Sequence, residues 1–359
     1  MATDALSAVL TVDLGAVAAN WRDLAARHAP GEVAGVVKAD AYGLGAAPVA
    51  AALRDAGCRT FFVAHLAEGV ALRAALGQGP AIIVLNGFPP GADGDAALWP
   101  ALNTLADVEA WSRAARLSGR RPPVLLHLDT GMARLGLDAG EAERLIQDPS
   151  PLGPLDLRFV MTHLACADEP GHPLNAAQAA RFARLADRLP PAPRSFANSS
   201  GLFLGPAFAS ALARPGCALY GINPTPGRPN PMRQVLRLTA PILQTREIAA
   251  GDSVGYAASF TAPRPSRIAT VAAGYADGYL RALSGRSRAM LDGVALPLVG
   301  RVSMDLLTFD VTDAPAAAAG RHVTLIGDGI TPDDLAAAAG TIGYEILTSL
   351  GARYRRVWQ

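Results

Sequence analysis

Gly35-Val36-Val37-Lys38-Ala39-Asp40-Ala41-Tyr42-Gly43-Leu44-Gly45 begins as a short β-branched run and ends in a glycine-punctuated turn, with a lysine at the junction. The run reads as a buried parallel strand. A lysine leaving such a strand at its carboxyl end either snorkels to solvent along its apolar stem or keeps its ammonium partly desolvated. Desolvation disfavours the charged form and lowers the lysine pKa. A neutral amine can then condense with an aldehyde.

Similar units recur along the chain. Short apolar strands are expected at 33–38, 60–65, 81–86, 124–129, 157–163, 194–197 and 218–221, with alanine-rich helical patterns at 46–56, 66–76, 104–117 and 175–189. Such alternation implies parallel strands, and the leading arrangement is a closed (β/α)8 barrel of the TIM type. An open doubly wound sheet is the alternative, weakened by the lack of a Gly-x-Gly-x-x-Gly between a strand and a helix. Gly227-Arg228-Pro229-Asn230-Pro231 reads as a linker. Beyond it, strands are expected at 236–247, 267–272, 289–291, 295–299, 306–311 and 323–326 without long helices between them, and Asp292-Gly293 is a hairpin signal. Thr331-Pro332-Asp333-Asp334 opens the first of two short closing helices. The expected organisation is therefore residues 1–12 as an N-terminal strand pairing with the C-terminal domain, 13–230 as the barrel, and 231–359 as a mainly antiparallel β domain.

Composition excludes several classes of function. With 359 residues the chain is long enough for two domains, and 50% apolar against 18% charged residues allows large cores. A net charge of +1 gives no electrostatic reason to expect nucleic acid or an anionic membrane. No signal peptide or bilayer-length apolar run is visible. Cys58, Cys166 and Cys217 are far apart, show no metal-ligand spacing and form no disulfide framework, so a reducing, cytoplasmic setting without a metal is expected.

The polar residues fall at strand ends: Lys38, His65, Asn86, Asp129 with Arg134, His163 and Asn198-Ser199-Ser200, with Arg214 and Gly216 before a further apolar run. Singly, His163 reads equally as a core histidine, Arg134 as a loop residue, and Asn198-Ser199-Ser200-Gly201 as a turn and helix cap. In a barrel, however, the carboxyl ends share one catalytic mouth. There, lysine chemistry of the kind that anchors pyridoxal phosphate would sit beside hydroxyls and backbone N–H groups suited to a phosphate. In the β domain, Tyr256 and Tyr275 lie among small residues that leave room for a ligand or another chain. A tyrosine near fixed positive charge can carry a proton.

Taken together, Val37-Lys38-Ala39-Asp40-Ala41-Tyr42-Gly43, Asp129-Thr130-Gly131-Met132-Ala133-Arg134-Leu135-Gly136, Thr162-His163, Ala197-Asn198-Ser199, Arg214-Pro215-Gly216, Gly274-Tyr275-Ala276-Asp277-Gly278, Ser303-Met304-Asp305 and Tyr344-Glu345 resemble the alanine racemase family over nearly the whole chain. The resemblance implies a pyridoxal 5'-phosphate enzyme interconverting L- and D-alanine, built as a homodimer whose sites are completed by the partner chain. It implies that Lys38 holds the cofactor and serves one face of the substrate, with Tyr256 of the second subunit serving the other. Tyr42, Asn198, Ser199 and Tyr344, with the backbone at Gly216 and Cys217, would hold the cofactor and its phosphate. Arg214 would face the pyridine nitrogen, with His163 beside the ring. Arg134 would lie near the cofactor oxygen and substrate carboxylate, and Met304, through its backbone, and Tyr275 would bind or gate the substrate from the partner chain. Two departures stand out. His127 replaces a lysine that many members carry as a carbamate bracing Arg134, and Ser303 stands where cysteine is common. A broader or serine-preferring racemase remains open, as do formation of D-alanine and catabolism of L-alanine. A decarboxylase of the same plan fits the Tyr256 context poorly. A non-catalytic pyridoxal-phosphate carrier protein would lack the β domain.

Overall fold

The computed structural model describes residues 7–359, and these divide into two compact units. One is Val17–Arg233. The other joins residues 7–16 to Gln234–Gln359.

The first unit is a parallel barrel. Its first strand comes in two halves, Glu32–Val33 and Gly35–Val36, which pair on opposite sides. Glu32–Val33 pairs with Leu212–Ala213, and Gly35–Val36 pairs with Thr60–Val63. Between them the ladder runs through Ala81–Val84, Trp99–Leu102, Pro123–His127, Asp156–Met161 and Arg194–Ser195, every pair parallel. Counting the split strand once gives eight strands, and the sheet closes on itself. Closure removes the doubly wound alternative, which needs two free edges. Apolar side chains such as Phe61, Phe62, Ile82, Ile83 and Leu125 are fully buried, as strands covered on both faces require.

Helices Ala46–Ala56, Leu66–Leu76, Leu105–Ser118, Ala139–Gln147 and Pro173–Ala186 fill the crossovers. Their ends are locally encoded. Thr104 Oγ1 accepts from Asp107 N at 3.1 Å while Asp107 Oδ2 accepts from Thr104 N at 3.0 Å, a reciprocal cap. Two strands escape the sequence reading. Trp99–Leu102 contains Pro100, which argues against a strand, and Leu212–Ala213 is too short to show a period. The run expected as a strand at 218–221 is instead the 3-10 turn Cys217–Tyr220. Leu219 N donates to Gly216 O and Gly221 N to Ala218 O, so its backbone is satisfied locally and the closing strand lies upstream.

The second unit is mainly antiparallel. Its long strand Leu236–Ile248 is flanked by His322–Ile326, Ser266–Val271 and Val9–Val12. Val9–Val12 also pairs in parallel with Arg355–Trp358. Residues 1–6 of the expected N-terminal strand segment lie outside the described residues. Asp292 and Gly293, at φ of 50° and 82°, turn the hairpin between Arg288–Leu291 and Val294–Pro297. Thr331 Oγ1 caps the helix Pro332–Ala339 by accepting from Asp334 N. No helix among the described residues is long and apolar enough to cross a membrane.

Asn20 is fully buried and ties three backbone groups of the barrel unit. It donates to Leu219 O at 3.2 Å and Arg233 O at 2.9 Å, and accepts from Arg233 N at 2.8 Å. Asn20→Ala strands those groups away from water. It should lower the urea midpoint by an amount equivalent to roughly 2–3 kcal/mol, measured by circular dichroism with the parent chain as reference.

Candidate active site

All eight barrel strands end in a polar residue on the same rim: Lys38, His65, Asn86, Asn103, His127, His163, Asn198-Ser199 and Arg214 follow or close their strands. The lysine turn is the most unusual local structure. Ala39, Asp40, Ala41 and Tyr42 all have φ between 52° and 58°, a left-handed turn built without glycine. Such a conformation costs about 1–2 kcal/mol per residue and persists only when its surroundings hold it. Glu68 supplies one such hold. Its Oε1 accepts from Ala39 N at 2.6 Å, while Oε2 accepts from Ala64 N and His65 N at 2.7 and 2.9 Å. At the far end Asp40 Oδ1 accepts from Ala46 N at 2.7 Å, and Gly45 N donates to Asp40 O.

Lys38 is half-buried and is the only lysine in the chain. Its pKa is lowered first by burial and then by the Arg134 cation, while Glu68 acts in the opposite direction. Tyr42, four residues on, is buried and stacks at 4.7 Å on Tyr220, whose hydroxyl donates to Val36 O at 2.9 Å. Burial pushes the Tyr42 phenol up, so it stays protonated and can donate. A Cβ on Gly216 would overlap the Tyr42 hydroxyl, so only glycine lets backbone and phenol meet. Buried Ser199 turns its Oγ to the same place and accepts from Gly216 N at 3.0 Å and Ala218 N at 3.2 Å. Backbone N–H groups, a hydroxyl and a phenol thus converge at the start of the turn Cys217–Tyr220. Half-buried Asn198 shapes the approach, with its Oδ1 accepting from Gly201 N at 2.8 Å.

Arg214 is buried (4% exposed) and held by its terminal nitrogens. Nη1 donates to Ser195 Oγ and Nη2 to Thr162 O, each at 2.6 Å. Burial brings its pKa down to about 10, which leaves it cationic at neutral pH. Half-buried His163 has its pKa driven well down by burial and by the nearby Arg214, Arg134, His127 and Lys38, so the ring is neutral. The bond from Arg214 Nη2 to Thr162 O brings the strand ends at 162 and 214 together. Fully buried Gln178 ties the segments by donating to Thr130 Oγ1 and His163 O.

Arg134 is exposed, on a loop folded around Asp129. Burial works to raise the Asp129 carboxyl, but N–H bonds from Gly131, Met132 and Ala133 outweigh it and hold the pKa low. His127 is buried and its Nδ1 lies 2.8 Å from Asn103 Oδ1. Asn103 already donates its amide nitrogen to Leu85 O and Ala101 O, so His127 Nδ1 is the donor and Nε2 the acceptor. Burial, with Arg214 next, brings the His127 pKa to about 3, and the ring is neutral.

The remaining candidates lie in the second unit. Tyr256 sits at the tip between the paired strands Ser253–Val254 and Phe260–Thr261 and is 67% exposed. Left-handed Gly255, Ala257 and Ala258 project it from the sheet. Tyr275, Met304 and Tyr344 are also exposed, on the turn Tyr275–Asp277, the loop before Leu307–Asp310 and the helix Gly343–Thr348. The structure thus gathers the barrel candidates at one rim, and in the second unit it joins the segments carrying Tyr275, Met304 and Tyr344 through backbone bonds, with Tyr256 on a ribbon of its own. Sequence reasoning missed Glu68, Asn103, Ser195 and Tyr220. Only Glu68, three residues past the helix N-cap His65, carries a local signal; the others act through contacts distant in sequence.

The barrel cluster fits a phosphate-bearing aldehyde, since one desolvated amine stands near a buried anion cradle and a buried arginine. Comparison with known proteins agrees. Residues 12–224 match the family model described as the alanine racemase N-terminal domain, and residues 235–358 match the alanine racemase C-terminal domain. The alanine racemase of Acidiphilium cryptum is 60% identical over 97% of this chain and 98% of its own. A catabolic alanine racemase of Mesorhizobium japonicum is 52% identical, covering 98% and 93%. The crystal structure of alanine racemase from Bartonella henselae with covalently bound pyridoxal phosphate superposes with a TM-score of 0.94 at 42% identity, covering 98% of this chain and 99% of that one. The chain belongs to the alanine racemase family and is a pyridoxal-phosphate-dependent isomerase of alanine.

Proposed function

We propose that racemisation here uses two proton carriers on opposite faces of the substrate, Lys38 from the barrel and Tyr256 from the partner subunit of a homodimer. The observation that carries this reading is the placement of Lys38. It is a lone amine, desolvated and facing Arg134, at the end of a strand whose turn is held by Glu68. Inverting a stereocentre by proton exchange needs a group on each side of it. Exposure of Tyr256, Tyr275 and Met304, at 67%, 41% and 53% within one chain, supports their use by a second copy.

The cofactor, when bound, withdraws the electrons left as the α-proton departs. The residues of the chain do the rest. Tyr42 and Ser199, with the backbone of Gly216 and Cys217 and shaped by Asn198, would hold the phosphate, and the resemblance adds Tyr344. Arg214, fixed by Ser195 and Thr162, would face the pyridine nitrogen and keep its own proton at neutral pH. An arginine there would give no proton to the ring, which would favour return of the substrate proton over transamination. Neutral His163 would lie beside the ring without adding charge. Arg134 pairs with the substrate carboxylate, and the His127–Asn103 pair takes the place of the carbamate as a neutral group behind it. Tyr275 and Met304 line the substrate space and suit a small side chain. Cys58, Cys166 and Cys217 form no disulfide, which suits the cytoplasm.

Three outcomes test this reading. Tyr256→Phe should retain the cofactor absorbance and lose solvent deuterium exchange from one alanine enantiomer about 10²–10⁴-fold, far more than from the other; equal loss from both would falsify the opposite-face assignment. Lys38→Ala and Tyr256→Phe chains should each be inactive alone. After subunit exchange they should recover about a quarter of the parent activity, because half the dimers are mixed and each mixed dimer regains one intact site; no recovery would place both residues in the same chain. Finally, the single lysine makes its titration readable. With ¹³C at lysine Cε, the cofactor-free protein should show a midpoint below the ordinary lysine range. Arg134→Ala should raise that midpoint by removing a repelling cation, and Glu68→Gln should lower it further.

A further inference from the structure

Tyr275, Met304 and Tyr344 are carried by three segments that meet at one ionic cluster, in which Asp277 and Asp305 belong to the motifs that mark the family and Arg353 lies outside them. Asp277, 6% exposed, accepts from Gly274 N through Oδ2 at 2.8 Å and so closes the turn carrying Tyr275. Its Oδ1 accepts from Arg353 Nε at 2.6 Å. The same guanidinium donates through Nη1 to Asp305 Oδ1 at 2.8 Å, next to Met304. The Asp277 carbonyl accepts from Gly351 N at 2.8 Å, just beyond the helix Gly343–Thr348 that bears Tyr344.

These segments also touch through backbone. Tyr275 N donates to Ser303 O and Ala276 N to Met304 O, each at 3.0 Å. A Cβ on Gly274 would overlap the Met304 carbonyl, and one on Gly278 would overlap Ser349 O. Backbone bonds fasten the two loops along one edge only. The fork from Arg353 fastens them at a second point, so the loops cannot pivot apart. Arg353 and Asp305 are half exposed, at 51% and 56% of their side chains, and exposed ion pairs add little to folding. Geometry is the better account of the fork. A planar guanidinium can hold two carboxylates at a fixed angle, which a lysine ammonium cannot.

We infer that Arg353, by bridging Asp277 and Asp305, is a positioning residue that sets the spacing of Tyr275 and Met304 and thereby the size of amino acid accepted. This rests on the reading that Tyr275 and Met304 line the substrate space. With holoenzyme of parental cofactor absorbance, Arg353→Ala should raise KM for alanine about tenfold while kcat changes less than about threefold. It should also raise the ratio of kcat/KM for serine over alanine. Arg353→Lys should restore part of the KM. Asp305→Ala, a surface change that frees only the Met304 arm, should move KM and the serine ratio the same way and stands in if Arg353→Ala does not fold. Unchanged KM and unchanged serine ratio in these variants, while Tyr275→Ala and Met304→Ala shift KM, overturns the clamp alone. If Tyr275→Ala and Met304→Ala also leave KM unchanged, the substrate-lining reading falls and the clamp falls with it.

Discussion

Closure of the parallel sheet is the constraint on which the barrel site depends. It is achieved by a first strand that breaks at Ala34 and serves two neighbours. Ala34 N donates to Ala213 O at 2.9 Å, Val36 N to Pro215 O at 3.2 Å, and Val37 N to Phe62 O at 2.9 Å. Once the ring is shut, every strand delivers its last residue to one rim. Lysine, arginine and histidine side chains from positions as far apart as 38 and 214 then share one environment. The short strand Leu212–Ala213 matters more than its length suggests, because it both completes the ring and aims Arg214 and Gly216 inward.

A shared rim crowded with cations needs a particular protonation pattern. The Arg134 cation lowers the Lys38 pKa, and burial first, with Arg214 and Arg134 adding to it, keeps the two imidazoles His127 and His163 neutral. Glu68 and Asp129 are the carboxylates that act on this group, and both are engaged by backbone N–H groups. The balance suits an anionic ligand, since phosphate and carboxylate groups relieve the repulsion. Asn103 fixes the tautomer of neutral His127, and an acceptor nitrogen remains on its ring.

Local strain marks both ends of the proposed chemistry. Lys38 precedes four left-handed residues, and Tyr256 is followed by two, Ala257 and Ala258. In each case a reactive side chain projects from a turn that ordinary residues avoid, and nearby hydrogen bonds or glycine make the turn tolerable. Gly216 plays a related part without positive φ, since its missing Cβ lets the Tyr42 hydroxyl reach the phosphate cradle.

Much was legible in the sequence because its signals are local. Period and spacing marked the helices Ala46–Ala56 and Leu66–Leu76 to the residue, the Asp292-Gly293 hairpin, the Thr331 cap, and the polar residues at strand ends. A β-branched run followed by Lys38 and a glycine turn was enough to suggest an amine poised for condensation. What tertiary structure alone decided was how that amine is held and which groups act on it. Trp99–Leu102 hid behind a proline, Cys217–Tyr220 imitated a strand, and Glu68, Asn103, Ser195 and Arg353 gain meaning only from neighbours 17 to 76 residues away in some of their bonds. Hydrophobic periodicity records which face of an element is buried, whereas hydrogen bonds between distant segments depend on a register that exists only after the ring has closed.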